Sequence, residues 1–427
     1  MEPVAIGIIG MGGFAGAHHD AVLRLESRGE FRLVCTCDPH LETFGQRRHD
    51  LGFDARGVRC FTDYRQMLDA CADSLEMVTI PTPLPLHAPM HRDCVERGIP
   101  AYLEKPPTLV WSELEAMLEV ESRARRQTAV GFNNIIEPER QALKRRLVQG
   151  EFGPVASVSV FALWPRLVAY FKRNDWAGRL RNNGALILDS CIGNAMAHQV
   201  HNALFWSGTG DFWEWGGIES VRAELYRVHE IDGLDTAFIT ATTDRGVALR
   251  VGMSHACSGN SLQEERIECE RAVIRYHLDH SGPDGRLYSV TWNDGRVEIG
   301  KSGGGDLLEM NLTAYGAYLR GKAERPVTRL VDCRPFVHFN NLTYIAAGKI
   351  VTIPPCFLGD AADGYIAVSA LPEIMDEFYR NGLFPSEQGV AWAVPGGTAV
   401  PADLATLEGV IETMCPDMAL AQVSDLG

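Results

Sequence analysis

The sequence predicts an α/β protein: an N-terminal doubly wound domain with a parallel sheet, then a C-terminal α+β domain with a largely antiparallel, open sheet. The length of 427 residues exceeds one ordinary domain. In the second half, paired apolar stretches flank hairpin turn signals at 243–246 and 293–295. In the first half, short apolar runs alternate with helix-like stretches. These runs cover residues 4–9, 33–37, 77–80, 100–103 and 129–132.

The hydrophobic pattern and the residue composition change along the chain, and these changes predict three segments. Residues 1–130 carry the continuous apolar runs that suit parallel strands buried on both faces, which favours a dinucleotide-binding domain. Residues 131–354 contain the alternating patterns of an antiparallel sheet and are expected to bind substrate and form oligomers. Residues 355–427 are rich in proline, glycine and small residues and are expected to form a peripheral C-terminal extension.

Composition excludes several classes of protein. The 40 basic and 55 acidic residues give a formal net charge of −15, which argues against a nucleic-acid or anionic-membrane binder. No apolar run approaches the roughly 20 residues that span a bilayer. The eleven cysteines include no CxxC pair, and the N-terminus shows no signal peptide. We therefore expect a cytoplasmic protein with reduced thiols.

A glycine-rich segment follows the first apolar run. It reads G-x-G-x-x-A, a form of the dinucleotide-binding fingerprint, in which small residues permit a tight turn and close approach of the backbone to a pyrophosphate. The next helix would direct its N-terminus at the phosphates. The expected cofactor-binding residues here are Gly10, Gly12, Gly13, Phe14 and Ala15.

An acid stands at the end of the second apolar run. Asp38 lies 23 residues after Ala15, close to the spacing of about 20 at which a carboxylate accepts hydrogen bonds from a ribose. The carboxylate would repel a 2′-phosphate, and neither Pro39 nor His40 supplies an arginine, so NAD is favoured over NADP. The alternative is a glycine-rich turn without a ligand.

A Glu-Lys-Pro segment ends a later strand. Glu104 and Lys105 stand at the carboxyl end of that strand, where open parallel sheets bind ligands, so we expect both beside the cofactor. A lysine at this place can hold a substrate hydroxyl or take part in proton transfer. The alternative is an ordinary surface pair of charges.

Taken in order, four segments resemble the family of glucose–fructose oxidoreductase and inositol 2-dehydrogenase, the Gfo/Idh/MocA oxidoreductases. The segments are GIIGMGGFAGAH, TIPTPLPLHAPM, YLEKPPT and VGFN; GEFGPVASV and NNGALILDS match further along. The resemblance implies a Rossmann domain and a second domain whose open sheet often mediates homo-oligomers. It also implies hydride transfer between a nicotinamide and a carbinol carbon of a sugar or cyclitol.

The resemblance assigns roles to individual residues. Lys105 matches the lysine that contacts the substrate and supports catalysis. Thr82, Pro83 and His87 match the segment beside the nicotinamide and its ribose. Asn133 matches the place where the chain crosses back past the nicotinamide.

One position departs from the family pattern, in which an aspartate is followed four residues later by a histidine base. Asp189 matches the aspartate, but the fourth residue after it is Gly193. Asn194 and His198 are themselves four apart and could share a helix face, so His198 is a candidate base. Alternatively, Lys105 carries the proton alone, or His198 only lines a packed helix.

The spacing of two pairs of histidines bears on metal binding. His198 and His201 are three apart, and His87 and His91 are four apart. Neither pair has a third ligand at a characteristic spacing, so no metal site is expected. His201 is expected to pack against its neighbours.

The leading hypothesis is an NAD-dependent oxidoreductase acting on a polyhydroxylated small molecule, with Lys105, Asp189 and His198 as catalytic residues. A second hypothesis is transient redox, in which bound NAD oxidises a sugar carbon, a neighbouring position eliminates or epimerises, and the hydride returns. A third is a non-catalytic nucleotide-sensing or partner-binding protein on the same fold.

Overall fold

The computed structural model describes residues 2–278 and 282–415, which form two compact units. Within these ranges, the first unit comprises residues 2–108, 112–137 and 304–334. The second comprises residues 109–111, 138–278, 282–303 and 335–415. No helix in the described part of the chain is long and apolar enough to cross a membrane.

The elements alternate between strands and helices at first and become strand-rich later. The strands are β1 (Val4–Ile9), β2 (Phe31–Cys37), β3 (Arg59–Phe61), β4 (Met77–Ile80), β5 (Ala101–Leu103), β6 (Ala129–Val130), β7 (Val155–Leu163), β8 (Arg181–Asn182), β9 (Ala185–Leu186), β10 (Ile218–Arg227), β11 (Thr236–Thr243), β12 (Ala248–Ser254), β13 (Leu262–Cys269), β14 (Ala272–His277), β15 (Tyr288–Trp292), β16 (Val297–Gly300), β17 (Ile350–Thr352), β18 (Leu358–Gly359), β19 (Ala367–Val368) and β20 (Thr398–Ala399). The helices are α1 (Ala15–Ser27), α2 (Gly45–Asp50), α3 (Phe53–Arg56), α4 (Tyr64–Cys71), α5 (His87–Glu96), α6 (Trp111–Glu121), α7 (Pro138–Val148), α8 (Ala197–Ser207), α9 (Leu307–Leu319), α10 (Arg334–Ala347), α11 (Leu371–Asn381) and α12 (Leu407–Met414).

The first unit contains a six-stranded parallel sheet in the order β3-β2-β1-β4-β5-β6. The strand order reverses beside β1, which places a ligand crevice at the carboxyl ends of β1 and β4. Every residue of β1 and β4 is buried, as expected for apolar strands covered on both faces. The predicted doubly wound sheet is confirmed. Its short edge strand β3 had not been predicted.

The predicted domain boundaries differ from the compact units. Residues 304–334 lie in the first unit, whereas the sequence had assigned them to the segment 131–354. Helix α9 supplies Leu308, Leu312, Tyr315 and Tyr318 to the core of the first unit. These contacts join positions far apart in the chain, so a shift in local sequence character does not reveal them.

The second unit is built on a ten-stranded sheet. Nine strands follow the order β16-β15-β14-β13-β7-β12-β11-β10-β17, and β20 also pairs with β10. Only two of these pairings, β7 with β12 and β10 with β17, are parallel. Both predicted hairpins are present, as β11–β12 and β15–β16. The prediction of a largely antiparallel sheet is confirmed.

Residues 355–415, predicted from the sequence to be peripheral, contribute to the core of the second unit. Helix α11 packs on the sheet, where the rings of Phe378 and Phe238 lie 5.3 Å apart. A Cβ atom on Gly252 would lie only 2.3 Å from the Met375 sulfur, so a glycine in β12 makes room for this helix. Trp392 adds a further ring to the same core. Residues 416–427 lie outside the described ranges.

Candidate functional site

The glycine loop connects β1 to α1 in the first unit. Gly10 has φ of 110°, which side-chain-bearing residues rarely adopt, so the turn out of β1 requires glycine. The Gly10 amide donates to the Cys37 carbonyl at the end of β2, at 2.7 Å. Helix α1 begins at Ala15, and Gly13 and Phe14 precede it. The loop therefore leads directly into a helix N-terminus, the arrangement that binds phosphates.

Asp38 lies beside this loop. One carboxylate oxygen accepts from the Met11 amide at 2.9 Å, and the other accepts from the His40 amide at 2.9 Å. The carboxylate is half-buried and is thus held between the glycine loop and the end of β2. A Cβ atom on Gly12 would lie 3.2 Å from the Phe44 ring, so the backbone there is approached closely from one side. These residues fit the adenosine end of a dinucleotide.

Glu104 has a partner that the sequence analysis missed. His18, in α1, lies with its Nε2 3.0 Å from Glu104 Oε1, and both side chains are buried. The other Glu104 oxygen accepts from the Lys105 amide at 3.1 Å. A Cβ atom on Gly131 would lie 2.8 Å from the Glu104 carboxylate. The carboxylate is thus held beside the backbone of Lys105, and no local spacing indicates its pairing with His18, because the two residues are 86 positions apart.

His87 is buried between two loops at the carboxyl edge of the sheet. Its Nδ1 lies 2.9 Å from the Pro106 carbonyl and its Nε2 2.9 Å from the Thr82 carbonyl. Burial lowers the pKa of His87. The imidazole therefore joins the loop after β4 to the loop after β5. Between them these loops present the exposed Pro83 and the half-buried Lys105 at the carboxyl edge of the sheet.

Asn133 follows β6 and is held by two neighbours. Its side-chain oxygen accepts from the Tyr102 hydroxyl at 2.6 Å, and its carbonyl accepts from the Asn311 amide group at 3.1 Å. Tyr102 is buried in β5, and Asn311 belongs to α9. The segment from 304 to 334 therefore helps to position a residue expected to lie near the nicotinamide.

Asp189 lies in the second unit and is almost fully buried. One oxygen accepts from the Gly178 amide at 2.6 Å, and the other accepts from the Asn194 side chain at 2.8 Å. Arg173 approaches the carboxylate at 3.9 Å. Two neutral donors and a nearby cation thus surround the carboxyl group. The side chain is therefore held in one orientation.

Asn194 and His198 do not share one continuous helix, which corrects the predicted arrangement. Residues 191–195 form a π-helical turn, closed by the Met196 amide donating to the Cys191 carbonyl at 2.8 Å. Helix α8 begins only after Met196. Asn194 lies in the turn and donates to the aspartate, whereas His198 lies in the first turn of α8. Residues three or four apart lie on the same face only within an unbroken α-helix.

Gly193 occupies a position with no space for a side chain. A Cβ atom there would lie 3.0 Å from Leu109 Cδ1, 3.0 Å from Ser190 Oγ and 3.2 Å from Asn340 Oδ1. A histidine could not enter this turn unless all three neighbours moved. The packing around Gly193 therefore suits glycine and would crowd the histidine of the family pattern.

His201 belongs to the core of the second unit. It is fully buried, and its ring lies 5.3 Å from that of Trp215. Burial lowers the pKa of His201 well below its ordinary value, and nearby His198 adds to that effect. Within residues 2–278 and 282–415, no group of three or more metal-ligating side chains could hold a metal ion.

Residues 4–132 match the Gfo/Idh/MocA family model, described as an oxidoreductase family with an NAD-binding Rossmann fold. An inositol 2-dehydrogenase of Rubrobacter xylanophilus is 30% identical over 153 residues, which is 36% of this chain and 42% of that protein. A glycosyl hydrolase family 109 protein of Shewanella sp. strain MR-4 is 27% identical over 158 residues, covering 36% of this chain and 33% of that one. The chain thus matches less than half the length of these relatives.

Solved structures extend the similarity beyond the first unit. The WlbA dehydrogenase of Bordetella pertussis, solved with NADH and UDP-GlcNAcA, has a TM-score of 0.64. The alignment covers 81% of this chain and 96% of that one, at 20% sequence identity. At this identity the similarity shows the fold, which includes the second unit.

Proposed function

We propose a function from one premise: residues 4–132 belong to the Gfo/Idh/MocA oxidoreductase family and form its NAD-binding Rossmann domain. The protein is an NAD-dependent oxidoreductase that transfers a hydride to or from a carbinol carbon of a sugar, cyclitol or related polyhydroxylated molecule. The observation that carries the proposal is the glycine loop, with the Asp38 carboxylate bound to the Met11 amide within it.

Asp38 selects NAD over NADP in this proposal. Its two oxygens each accept one backbone amide, and a carboxylate oxygen has a second lone pair for a ribose hydroxyl. A phosphate on that ribose would bring negative charge against the carboxylate. The residues expected to line the rest of the cofactor site are Gly10, Gly12, Gly13, Phe14, Ala15, Thr82, Pro83, His87, Glu104, Lys105 and Asn133.

Bound NAD supplies the acceptor for the hydride, the hydrogen and electron pair that leave the carbinol carbon. The hydroxyl proton must leave at the same time, and a base of this chain takes it as the carbonyl forms. Lys105 donates a hydrogen bond to the reacting oxygen. Asp189 accepts from a substrate hydroxyl and orients the molecule. His198 is the candidate base, with the neutral form of Lys105 as the alternative.

A fluorescence titration with NADH and with NADPH tests the cofactor assignment, and the eight tryptophans provide the donor signal. We expect tighter binding of NADH and a loss of that preference in Asp38→Ala. Asp73→Ala is the matched control, because Asp73 is an exposed acid of the same unit. Tighter binding of NADPH would overturn the role of Asp38. Binding of neither nucleotide would favour the non-catalytic alternative.

A turnover screen with sugars and cyclitols tests the catalytic residues. We expect Lys105→Ala to lose turnover while NADH affinity stays within a small factor. A double-mutant cycle of Lys105→Ala with Asp189→Ala then measures whether the two residues act on one substrate, because independent residues give additive effects. Unchanged turnover in Lys105→Ala would remove this lysine from the mechanism.

The packing of Gly193 favours a second candidate function. With no room for a histidine in the turn, the proton takes another path, which suits transient redox as well as net oxidation. A relative named as a glycosyl hydrolase shares the N-terminal segment. In this alternative, the hydride returns to the product after elimination or epimerisation at the neighbouring carbon. Product formation without net NADH would support it.

Two broader properties complete the proposal. The protein forms homo-oligomers through the large sheet, since Val297 and Ile299 on its edge strand β16 are 58% and 53% exposed. Replacing both with glutamate should lower the mass measured by light scattering. The protein is cytoplasmic, since all eleven cysteines are free thiols.

A further inference from the structure

The segment after β7 carries two arginines that stack on aromatic rings. The guanidinium carbon of Arg166 lies 3.9 Å from the Trp164 ring centre and 4.5 Å from that of Tyr170. The guanidinium carbon of Arg173 lies 3.8 Å from the same Tyr170 ring and 5.4 Å from that of Trp176. Stacking on flat rings holds each guanidinium in a defined plane.

Of these two cations, Arg173 has the carboxylate of Asp189 nearby, and Arg166 has no acid in ion-pair contact among the described residues. No acid within residues 2–278 and 282–415 forms an ion pair with Arg166, and its buried Nε has no hydrogen-bond partner among those residues. Burial lowers the pKa of Arg166, and the positive charge of Arg173 adds to this effect. Arg173 has only the long 3.9 Å approach to Asp189. By contrast, Arg296 stacks on Trp292 at 4.8 Å but is paired with Asp294 at 2.7 Å.

The arginine pair adjoins the candidate catalytic carboxylate. Arg173 approaches Asp189 directly, and the charge of Asp189 helps to raise the pKa of Tyr170, after the larger effect of burial. The side chain of Arg173 is 29% exposed, so solvent reaches its guanidinium. A molecule whose hydroxyl met Asp189 would bring its other substituents to these arginines.

The C-terminal segment is hydrogen-bonded to the loop that carries Arg166 and Arg173. The Val168 amide donates to the Gly364 carbonyl at 2.7 Å, and Leu167 pairs with Tyr365 in an isolated antiparallel bridge. The Tyr365 side chain also acts electrostatically on Arg166. The segment beyond residue 355 therefore holds the arginine-bearing loop in place.

We propose that the substrate carries an anionic oxygen group, a carboxylate or a phosphate, which binds to Arg166 and Arg173 while Asp189 accepts from a hydroxyl. Two planar guanidinium groups that have only one carboxylate nearby among the described residues, that of Asp189, match such a group, which can accept two parallel hydrogen bonds from one arginine. A neutral sugar would leave the charge of Arg166 without compensation. This inference rests on the proposed function, because it names the substrate class of that reaction.

Calorimetric titration of the full chain with saturating NAD tests the proposal on matched pairs of probes. The pairs are D-glucuronate with D-glucose, D-galacturonate with D-galactose, D-glucose 6-phosphate with D-glucose, and myo-inositol 1-phosphate with myo-inositol. At least one anion should bind about 10-fold more tightly than its neutral counterpart, the effect of one hydrogen bond to a charged group. The acid and phosphate arms identify which anion is preferred. Equal affinities within every pair would overturn the proposal.

Substitutions then locate the binding site. Arg166→Gln and Arg173→Gln should each remove the preference for the anion, whereas Arg296→Gln should retain it. If Arg166→Gln does not fold, the partly exposed Arg173 still gives a test, and Arg166→Lys separates charge from planar geometry. Retention of the preference in Arg173→Gln would overturn the assignment to this pair.

The failure of this inference is distinguishable from the failure of the proposed function. Turnover of neutral polyols with NAD and no preference for anions would reject the anionic substrate and keep the oxidoreductase. An anion preference that depends on Arg166 and Arg173, without oxidation of any probe and without product formation, would keep the binding site and reject the oxidoreductase.

Discussion

The glycine loop (residues 10–15) and the aspartate turn (residues 189–196) both hold a carboxylate by hydrogen bonds from the backbone, but they do so differently. In the loop, Asp38 binds the Met11 amide, and both residues belong to one motif with a known spacing. In the turn, Asp189 binds the amide of Gly178, and the π-helical stretch after it supplies Asn194. A motif specifies the first arrangement, whereas a contact between separate segments creates the second.

The comparison predicts which substitutions should alter the loop and which should alter the turn. A change in the glycine loop acts on a short motif that leads into one helix. The turn depends on more distant support, because Gly233 packs against the carbonyl of Asp189 and the Cys191 amide donates to Leu234. We therefore expect the turn to respond to changes far along the chain and the loop to be insensitive to them.

The largest effect is expected from Phe378→Ala, beneath the sheet of the second unit. Phe378 is fully buried against Phe238, so truncation leaves a cavity and should lower the free energy of unfolding by about 3–5 kcal/mol. Chemical denaturation measures this change, with the exposed Leu383→Ala as control. NADH affinity should remain unchanged. An equal loss of NADH affinity would show that the loop also depends on this packing.

The second effect concerns the aspartate turn itself. Asp189→Ala removes the acceptor for both Gly178 and Asn194, so kcat/KM should fall by about 10²–10³ while NADH affinity is retained. Asp189→Asn keeps one acceptor oxygen for the Gly178 amide and should lose less. Steady-state kinetics with a substrate from the screen gives both values. Equal losses in the two variants would show that charge, rather than orientation, matters at this position.

Gly10→Val should have the third largest effect, confined to the loop. The φ of 110° suits glycine, and forcing a branched residue into it costs about 1–3 kcal/mol, which corresponds to roughly 5–150-fold in NADH affinity. Gly16→Ala is the control, because Gly16 lies in α1 with open space around its Cα. Fluorescence titration measures the change. A normal affinity in Gly10→Val would remove the loop from the cofactor site.

The smallest expected effect is a pH dependence of the free energy of unfolding, which arises from one buried histidine in each unit. Burial lowers the pKa of His91 in the first unit and of His255 in the second from 6.5 to about 4. The unfolded chain therefore binds these protons more readily, so stability falls as pH drops below 6.5 and the loss is complete near pH 4. At pH 6 each histidine should cost about 1 kcal/mol relative to high pH.

His91→Asn and His255→Asn test this dependence unit by unit. Each substitution should flatten the slope of unfolding free energy against pH between 7.5 and 6, whatever its effect on absolute stability. His49→Asn is the control, because the His49 side chain is 85% exposed. An unchanged slope in His91→Asn would show that folding does not lower the pKa of this histidine.

Several features of the site were accessible to sequence reasoning, because each depends on residues close together or at a known spacing. The parallel strands, the turn at Gly10, the position of Asp38 beside it and both later hairpins are of this kind. Each follows from backbone geometry: buried parallel strands require apolar residues on both faces, and a left-handed turn requires glycine.

Only the tertiary structure decided the rest. Glu104 meets His18 across 86 positions of sequence, and Arg166 is left without an acid because of which loops surround it. The break at Met196 separates Asn194 from His198, although their spacing alone suggested one helix face. Local spacing determines which conformations the backbone can adopt. The partner of a buried charge depends on which distant segments pack around it, and neither periodicity nor a motif carries that information.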